Sequence, residues 1–110
     1  MRIRKDTVIL DNMRPEELAM ITKVSDALAH PARLEMLRYI MQCNRKMEPV
    51  CTKDLVEAFD YAQATISQHM KILSTSGLVE VQKKQKFSYF YVNLGLLTRY
   101  TDVVKKFTII

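Results

Sequence analysis

Two glycines and three prolines in a chain of 110 residues leave no material for a flexible linker, a glycine-rich phosphate loop or a low-complexity tail. No internal repeat is present either, so a single domain is expected over residues 14–110, preceded by an N-terminal arm at residues 1–13. Two cysteines, Cys43 and Cys51, are too few for the disulfide framework of a secreted protein and suit a reducing compartment. The apolar run near the start, Val8 to Leu10, is too short for a signal sequence or a membrane span, so the cytoplasm is the expected location and no membrane partner is expected. The two histidines, His30 and His69, lie at unrelated helix positions, and no nucleophile has a recognisable base beside it. An enzyme is therefore not expected, and neither is a cofactor.

What the chain has in excess is positive charge. Seventeen Lys and Arg residues stand against twelve Asp and Glu, for a net charge of +5. The excess is concentrated late: between Tyr61 and Val92 there are Lys71, Lys83, Lys84 and Lys86 against Glu80 alone. Such a surface suits a polyanionic partner, with nucleic acid first among them.

The stretch Ala62 to Ser76, AQATISQHMKILSTS, organises the rest. Laid on a helix at about 100° per residue, Ile66, Met70 and Leu73 gather on one side, and Ala64, Ser67, Gln68, Lys71 and Thr75 on the other. A solvated helix face ordinarily mixes Glu with Lys. This one carries no carboxylate, so its amides and hydroxyls can lie against base edges without repelling phosphates.

Around it the elements follow from local signals. Pro15, followed by Glu16 and Glu17, opens a first helix whose Leu18, Met20, Ile21, Val24, Ala27 and Leu28 form an apolar surface broader than one packing stripe. His30-Pro31-Ala32-Arg33 ends it and opens a second helix, buried through Leu34, Leu37, Ile40 and Met41 and closed by a loop from Cys43 to Pro49. Thr52 is expected to cap a short third helix with Leu55, Val56 and Phe59 inward, and Asp60 to cap the reading helix, with Gln63 in a capping-box relation. Two short helices joined by a tight turn make a helix-turn-helix. After Gly77 the period changes to that of a hairpin, from Leu78 to Val92, whose tip is Lys83, Lys84, Gln85 and Lys86. A basic hairpin after a recognition helix can act as a wing reaching the DNA backbone, though a lysine turn can also simply blunt a sheet edge. Asn93 caps a last helix with a wide apolar face.

The fold class is thus mainly α with a small β-hairpin, a winged helix-turn-helix in the order α-α-α-α-β-β-α. The first and last helices leave apolar surface to cover, and Leu18, Ile21, Leu97, Tyr100, Val104 and Phe107 are the expected interface of a homodimer. Two reading helices about 34 Å apart would meet successive major grooves of a duplex.

The segments ALAHPARLEML, TISQHMKIL, SGLV and the hairpin ending YFYV resemble the ArsR/SmtB family of bacterial winged-helix transcription repressors, over roughly Glu17 to Phe107. The resemblance implies a dimeric, sequence-specific repressor acting on double-stranded DNA at a palindromic operator. It places Gln63, Ala64, Ser67 and Gln68 where the family reads bases, Thr65 and Lys71 where phosphates are approached, and Lys83 to Lys86 in the wing. His69, about 60° from Ile66, falls at the core margin and reads better as a hydrogen-bonded structural residue than as a base contact. Ala62 and Ala64 stand where the family often has hydroxyls, which removes a phosphate contact or two.

The sensing side departs from the family. A metal box of the form C-V-C-D-L is here Cys51-Thr52-Lys53-Asp54-Leu55, with a lysine at the second thiolate. The last helix has no histidine or cysteine and Asp102 as its only acid, so no metal site is expected. Cys43 and Cys51 remain candidates for redox or thiol sensing, against the plainer reading of a helix-end cysteine and a loop cysteine. The rival function is a winged-helix protein-interaction module without DNA binding, which would call for apolar or acidic residues on the outward face of Ala62 to Ser76.

Overall fold

Proline opens both of the first two helices. In the computed structural model, which describes residues 12–109, α1 spans Pro15–Leu28 and α2 spans Pro31–Arg45. The expectation for residues 1–11 of the arm lies outside the described residues. At the head of α1, Arg14 is extended and its N–H donates to Glu17 Oε1 at 3.0 Å, satisfying a backbone donor the helix leaves orphaned. At the head of α2, His30 Nδ1 accepts from Ala32 N–H at 3.1 Å. There follow α3 (Thr52–Ala58), α4 (Gln63–Thr75), β1 (Val79–Lys84), β2 (Phe87–Val92) and α5 (Leu94–Val104), with a closing 3-10 turn at Lys105–Thr108. This is the expected order of elements.

Several local expectations are corrected. Cys51, not Thr52, is the N-cap of α3: Thr52 is already helical, and Asp54 Oδ2 accepts from Cys51 N–H at 2.8 Å. Asp60 does not cap α4. The chain stays irregular through Tyr61, and Ala62, in an extended conformation with no side-chain acceptor, precedes the first helical residue. The buried face of α2 is Ala32, Met36, Leu37 and Ile40, while Leu34 is 48% exposed and Met41 half-buried. That row keeps the i, i+4 spacing of a helix packed along 32, 36 and 40. Cys43 belongs to the last turn of α2 rather than to the loop. Lys83 and Lys84 are the last residues of β1, leaving Gln85 and Lys86 as the turn, and Phe107 lies on the 3-10 turn beyond α5.

One core joins the elements. Met36, Ile40, Leu55, Ile66, Leu73 and Leu78 are fully buried, each stabilising the fold by about 1.5–3 kcal/mol relative to exposure. β1 and β2 pair antiparallel with Val81 opposite Phe90 and Lys84 opposite Phe87. The far edge of β2 is not left open. Phe90 N–H donates to Val50 O at 2.9 Å, Cys51 and Tyr89 form a β-bridge, and Asn44 of α2 takes the place of a further strand. Its Oδ1 accepts from Val92 N–H at 2.9 Å and its Nδ2 donates to Phe90 O at 3.3 Å.

Candidate nucleic-acid interface

The interface is built on α4, whose underside is set by three apolar residues. Ile66, Met70 and Leu73 are 0%, 3% and 0% exposed, which fixes the rotation of the helix on the core. Gln63, Ala64, Ser67, Gln68, Lys71 and Thr75 are then outward, and Thr65 is half-buried. No acidic residue occurs anywhere on this helix. α3 packs against it across the connection 59–62, giving the two helices and turn of a helix-turn-helix.

The hairpin stands beside α4, and alternation along β1 divides its lysines. Lys83, opposite Ser88, faces α4; together with Ser67, Lys71 and Val81 it lines a cleft of about 380 Å³ between helix and hairpin. Lys84, opposite Phe87, lies on the other face beside Pro49, Tyr89 and Tyr91. Lys86 is exposed in the turn, where Gln85 has a φ of +58°. Lys83 and Lys84 thus point to opposite faces of the wing, with Lys86 in the turn between its strands. This follows from the strand period of two, and it corrects the expectation of a single basic tip.

Cys43 is half-buried and Cys51 buried, both as free thiols. Burial, and then the neighbouring Cys43 thiol, push the Tyr39 phenol above its usual range. Of the expected interface residues, Leu18 and Phe107 are 47% and 54% exposed. Ile21, Leu97, Tyr100 and Val104 are half-buried, with Leu97 and Tyr100 already packed on the protomer's own core. Tyr100 Oη lies 2.8 Å from Ser25 Oγ, which joins α5 to α1. Among the described residues no helix is long and apolar enough to cross a membrane.

Residues that sequence reading did not single out also position this surface. They are Asn44, which holds the wing, and Arg33, whose guanidinium lies 3.3 Å from His69 Nδ1 on α4. Neither leaves a periodic signal, because each acts between elements distant in sequence.

A recognition helix free of acids, a helix packed across it and a lysine-bearing hairpin beside it define a winged helix-turn-helix DNA-binding transcription regulator. The chain belongs to the arsR family of bacterial regulatory proteins, whose description matches residues 30–81. It is 32% identical over 98 residues to an arsenical resistance operon repressor of Staphylococcus aureus, covering 89% of this chain and 84% of that one. To the arsenical resistance operon repressor of Staphylococcus xylosus it is 36% identical over 95 residues, 84% of each chain. Among solved structures, an ArsR-like transcriptional regulator from Rhodococcus sp. RHA1 superposes with a TM-score of 0.74 at 18% identity, covering 86% of this chain and 84% of that one. The homodimeric winged helix-turn-helix DNA-binding domain of a possible ArsR-family regulator from Mycobacterium bovis superposes with a TM-score of 0.67 at 19% identity, over 88% and 86%. Family and fold are those of transcription regulators, not of enzymes.

Proposed function

We propose that the chain acts as a homodimeric cytoplasmic repressor that places α4 of each protomer in successive major grooves of a palindromic operator until a signal releases it. The observation that carries this reading is the exposed, acid-free face of α4 continuing through the Lys71–Lys83 cleft onto the wing. Gln63, Ala64, Ser67 and Gln68 read base edges, Thr65 and Lys71 approach phosphates, and Lys83, Lys84 and Lys86 anchor the wing. The repressor names of the staphylococcal relatives support the sign of regulation, and the homodimeric Mycobacterium domain supports the assembly. A protein-docking module would put apolar or acidic side chains where Gln63, Ser67 and Gln68 stand.

Cys43 and Cys51 are the proposed thiol-sensing pair. Cys51 is the N-cap residue of α3 and its thiol is buried, so a reagent that engages it disturbs the start of the first half of the helix-turn-helix, where Cys51 N–H donates to Asp54 Oδ2. Operator affinity unchanged after both thiols have reacted would remove them from signalling.

Gln68→Ala separates reading from anchoring. It lowers operator affinity by about 1–3 kcal/mol, the range for a good bidentate base contact, and leaves nonspecific binding nearly unchanged. Lys83→Ala with Lys84→Ala weakens binding to every duplex and flattens its salt dependence by roughly 0.9 log unit per log salt for each phosphate left without its lysine. The measurement is duplex affinity against salt concentration, using an operator selected from a random pool. Identical behaviour of the two variants would refute the assignment.

A further inference from the structure

One guanidinium ties three helices together at the back of the reading helix. Arg33, in the first turn of α2, donates through Nε to Ala27 O at 2.6 Å and through Nη2 at 3.2 Å to Asp26 O, a carbonyl at the end of α1 that also accepts from Ala29 N–H. Its Nη1 lies 3.3 Å from Nδ1 of His69, midway along α4. A guanidinium has donors and no acceptor, so His69 Nδ1 must supply the lone pair and the ring proton must sit on Nε2. A protonated ring would turn an N–H and a positive charge toward the guanidinium. The bond therefore exists only with neutral His69.

The groups around the ring do nothing to favour its charged form. From the α1–α2 turn, the His30 ring lies 4.7 Å away between centroids, and its own Nδ1 is occupied by Ala32 N–H. From the α3–α4 connection, Tyr61 meets it edge-on at 6.3 Å. α1 contributes Asp26, whose backbone carbonyl holds Arg33. One turn away on α4 itself, Thr65, Ile66, Ile72 and Leu73 do not titrate. Burial first, then His30 and Arg33, hold the His69 ring below the usual 6.5.

We propose that Arg33 and His69 are positioning residues for DNA recognition: their hydrogen bond sets the stance of α4 against α1 and α2, and protonating His69 releases the helix and weakens operator binding. This rests on the reading of α4 as the DNA-contacting helix. Above the ordinary histidine pKa both folded and unfolded chains carry a neutral ring, and the bond is intact. As pH falls below 6.5 the unfolded chain takes up the proton first, so stability declines until the lowered folded pKa is reached. Operator affinity falls in the same direction, by at most about tenfold per pH unit for the one proton that each protomer takes up.

The test measures operator affinity from about pH 7.5 to about pH 5.5 at fixed ionic strength, for the wild type and three variants. The wild type is expected to lose affinity toward acid. His69→Gln, whose amide oxygen can still accept from Arg33 but does not titrate, binds as the wild type at the upper pH and gives a flat profile. Arg33→Lys, which cannot reach three acceptors at once, binds more weakly throughout with an unchanged salt slope. His30→Asn, which keeps the α2 cap but removes a ring that helps to hold His69 neutral, keeps the acid loss and moves it to higher pH. An acid loss in His69→Gln equal to that of the wild type, or wild-type affinity in Arg33→Lys, would overturn the proposal.

Nitrogen-15 spectra of the free protein separate this from the DNA reading. They are expected to show His69 as the Nε2–H tautomer, with α4 amide signals following its titration. If no duplex binds at any pH, the DNA reading fails, and these spectra still decide the helix linkage. Amide signals of α4 that ignore the His69 titration would refute it.

Discussion

Met47 holds a backbone conformation usually reserved for glycine. Its φ is +59°, one residue past the Lys46 cap of α2, and its side chain is 90% exposed. Glu48 N–H donates to Cys43 O at 2.9 Å and Met47 N–H to Asn44 O at 3.0 Å, the paired bonds of a Schellman helix end. At the end of α4 the corresponding position is Gly77, with φ +89°. There the Ser76 hydroxyl joins the turn, accepting from Leu78 N–H at 3.2 Å and donating to Leu73 O at 2.7 Å. The two ends predict opposite outcomes. Met47→Gly relieves left-handed strain without losing packing, and is expected to stabilise the protein by about 0.5–1 kcal/mol once the greater freedom of the unfolded glycine is subtracted. Gly77→Ala adds a methyl 3.1 Å from Leu96 Cδ2 in a conformation that disfavours it, and is expected to cost about 1–2 kcal/mol. Thermal melts of both variants against the wild type check the pair; shifts of the same sign would contradict this account of the helix ends.

At the scale of elements, the wing is held to α2 by the side chain of Asn44. Without it Val92 N–H and Phe90 O lose their partners on the edge of β2 away from β1, and an unmade partner costs about 1–3 kcal/mol. Asn44→Ala is expected to lower the denaturant midpoint accordingly and to loosen the hairpin, so that duplex binding loses salt dependence while base preference at α4 persists. Comparing operator and random duplexes across salt concentrations checks this; loss of base preference alone would place Asn44 outside the wing. Sequence alone made α4 legible, because Ile66, Met70 and Leu73 keep a helical period over a face free of acids. It made the hairpin legible too, because Gly77 marks the switch to a run of β-favouring residues. Boundaries were less legible. Asp60 and Thr52 have good capping side chains, yet the folded chain caps with Ala62 and Cys51, since packing of α3 against α4 decides where each helix can begin. Leu34 read as core by composition, but the groove that α2 fills selects Met36 instead. Asn44 and Arg33 were silent because their partners lie in other elements.

Across the whole molecule, Glu17 connects the two ends of the described chain. Its carboxylate, on a residue only 5% exposed, accepts from Lys106 Nζ at 3.0 Å on both oxygens, while Asn12 Nδ2 donates to Lys106 O at 3.1 Å. The Arg14 N–H first, and then the Lys106 ammonium, hold the Glu17 carboxyl below its usual 4.5 despite burial. A depressed carboxylate pKa contributes stability that is present above the unfolded value and lost as pH falls through the folded one. Glu17→Gln is therefore expected to flatten the acid limb of the stability curve below about pH 4.5, as read from thermal melts across pH; an unchanged limb would mean that other carboxylates set it. The same pair holds the 3-10 turn, and with it Phe107, beside α1, where Leu18 is also exposed. If those residues form the proposed two-fold interface, charging both should separate the protomers without disturbing α4, whose underside packs on the core of a single chain. Leu18→Glu with Phe107→Glu is expected to sediment as a monomer with unchanged helical circular dichroism. It should bind a half-site duplex as the wild type does but lose about 10²- to 10⁴-fold on the full operator, the gain ordinarily supplied by linking two sites. A variant that stays dimeric would put the interface on another face, and one that is monomeric yet keeps full operator affinity would show that the two reading helices act separately.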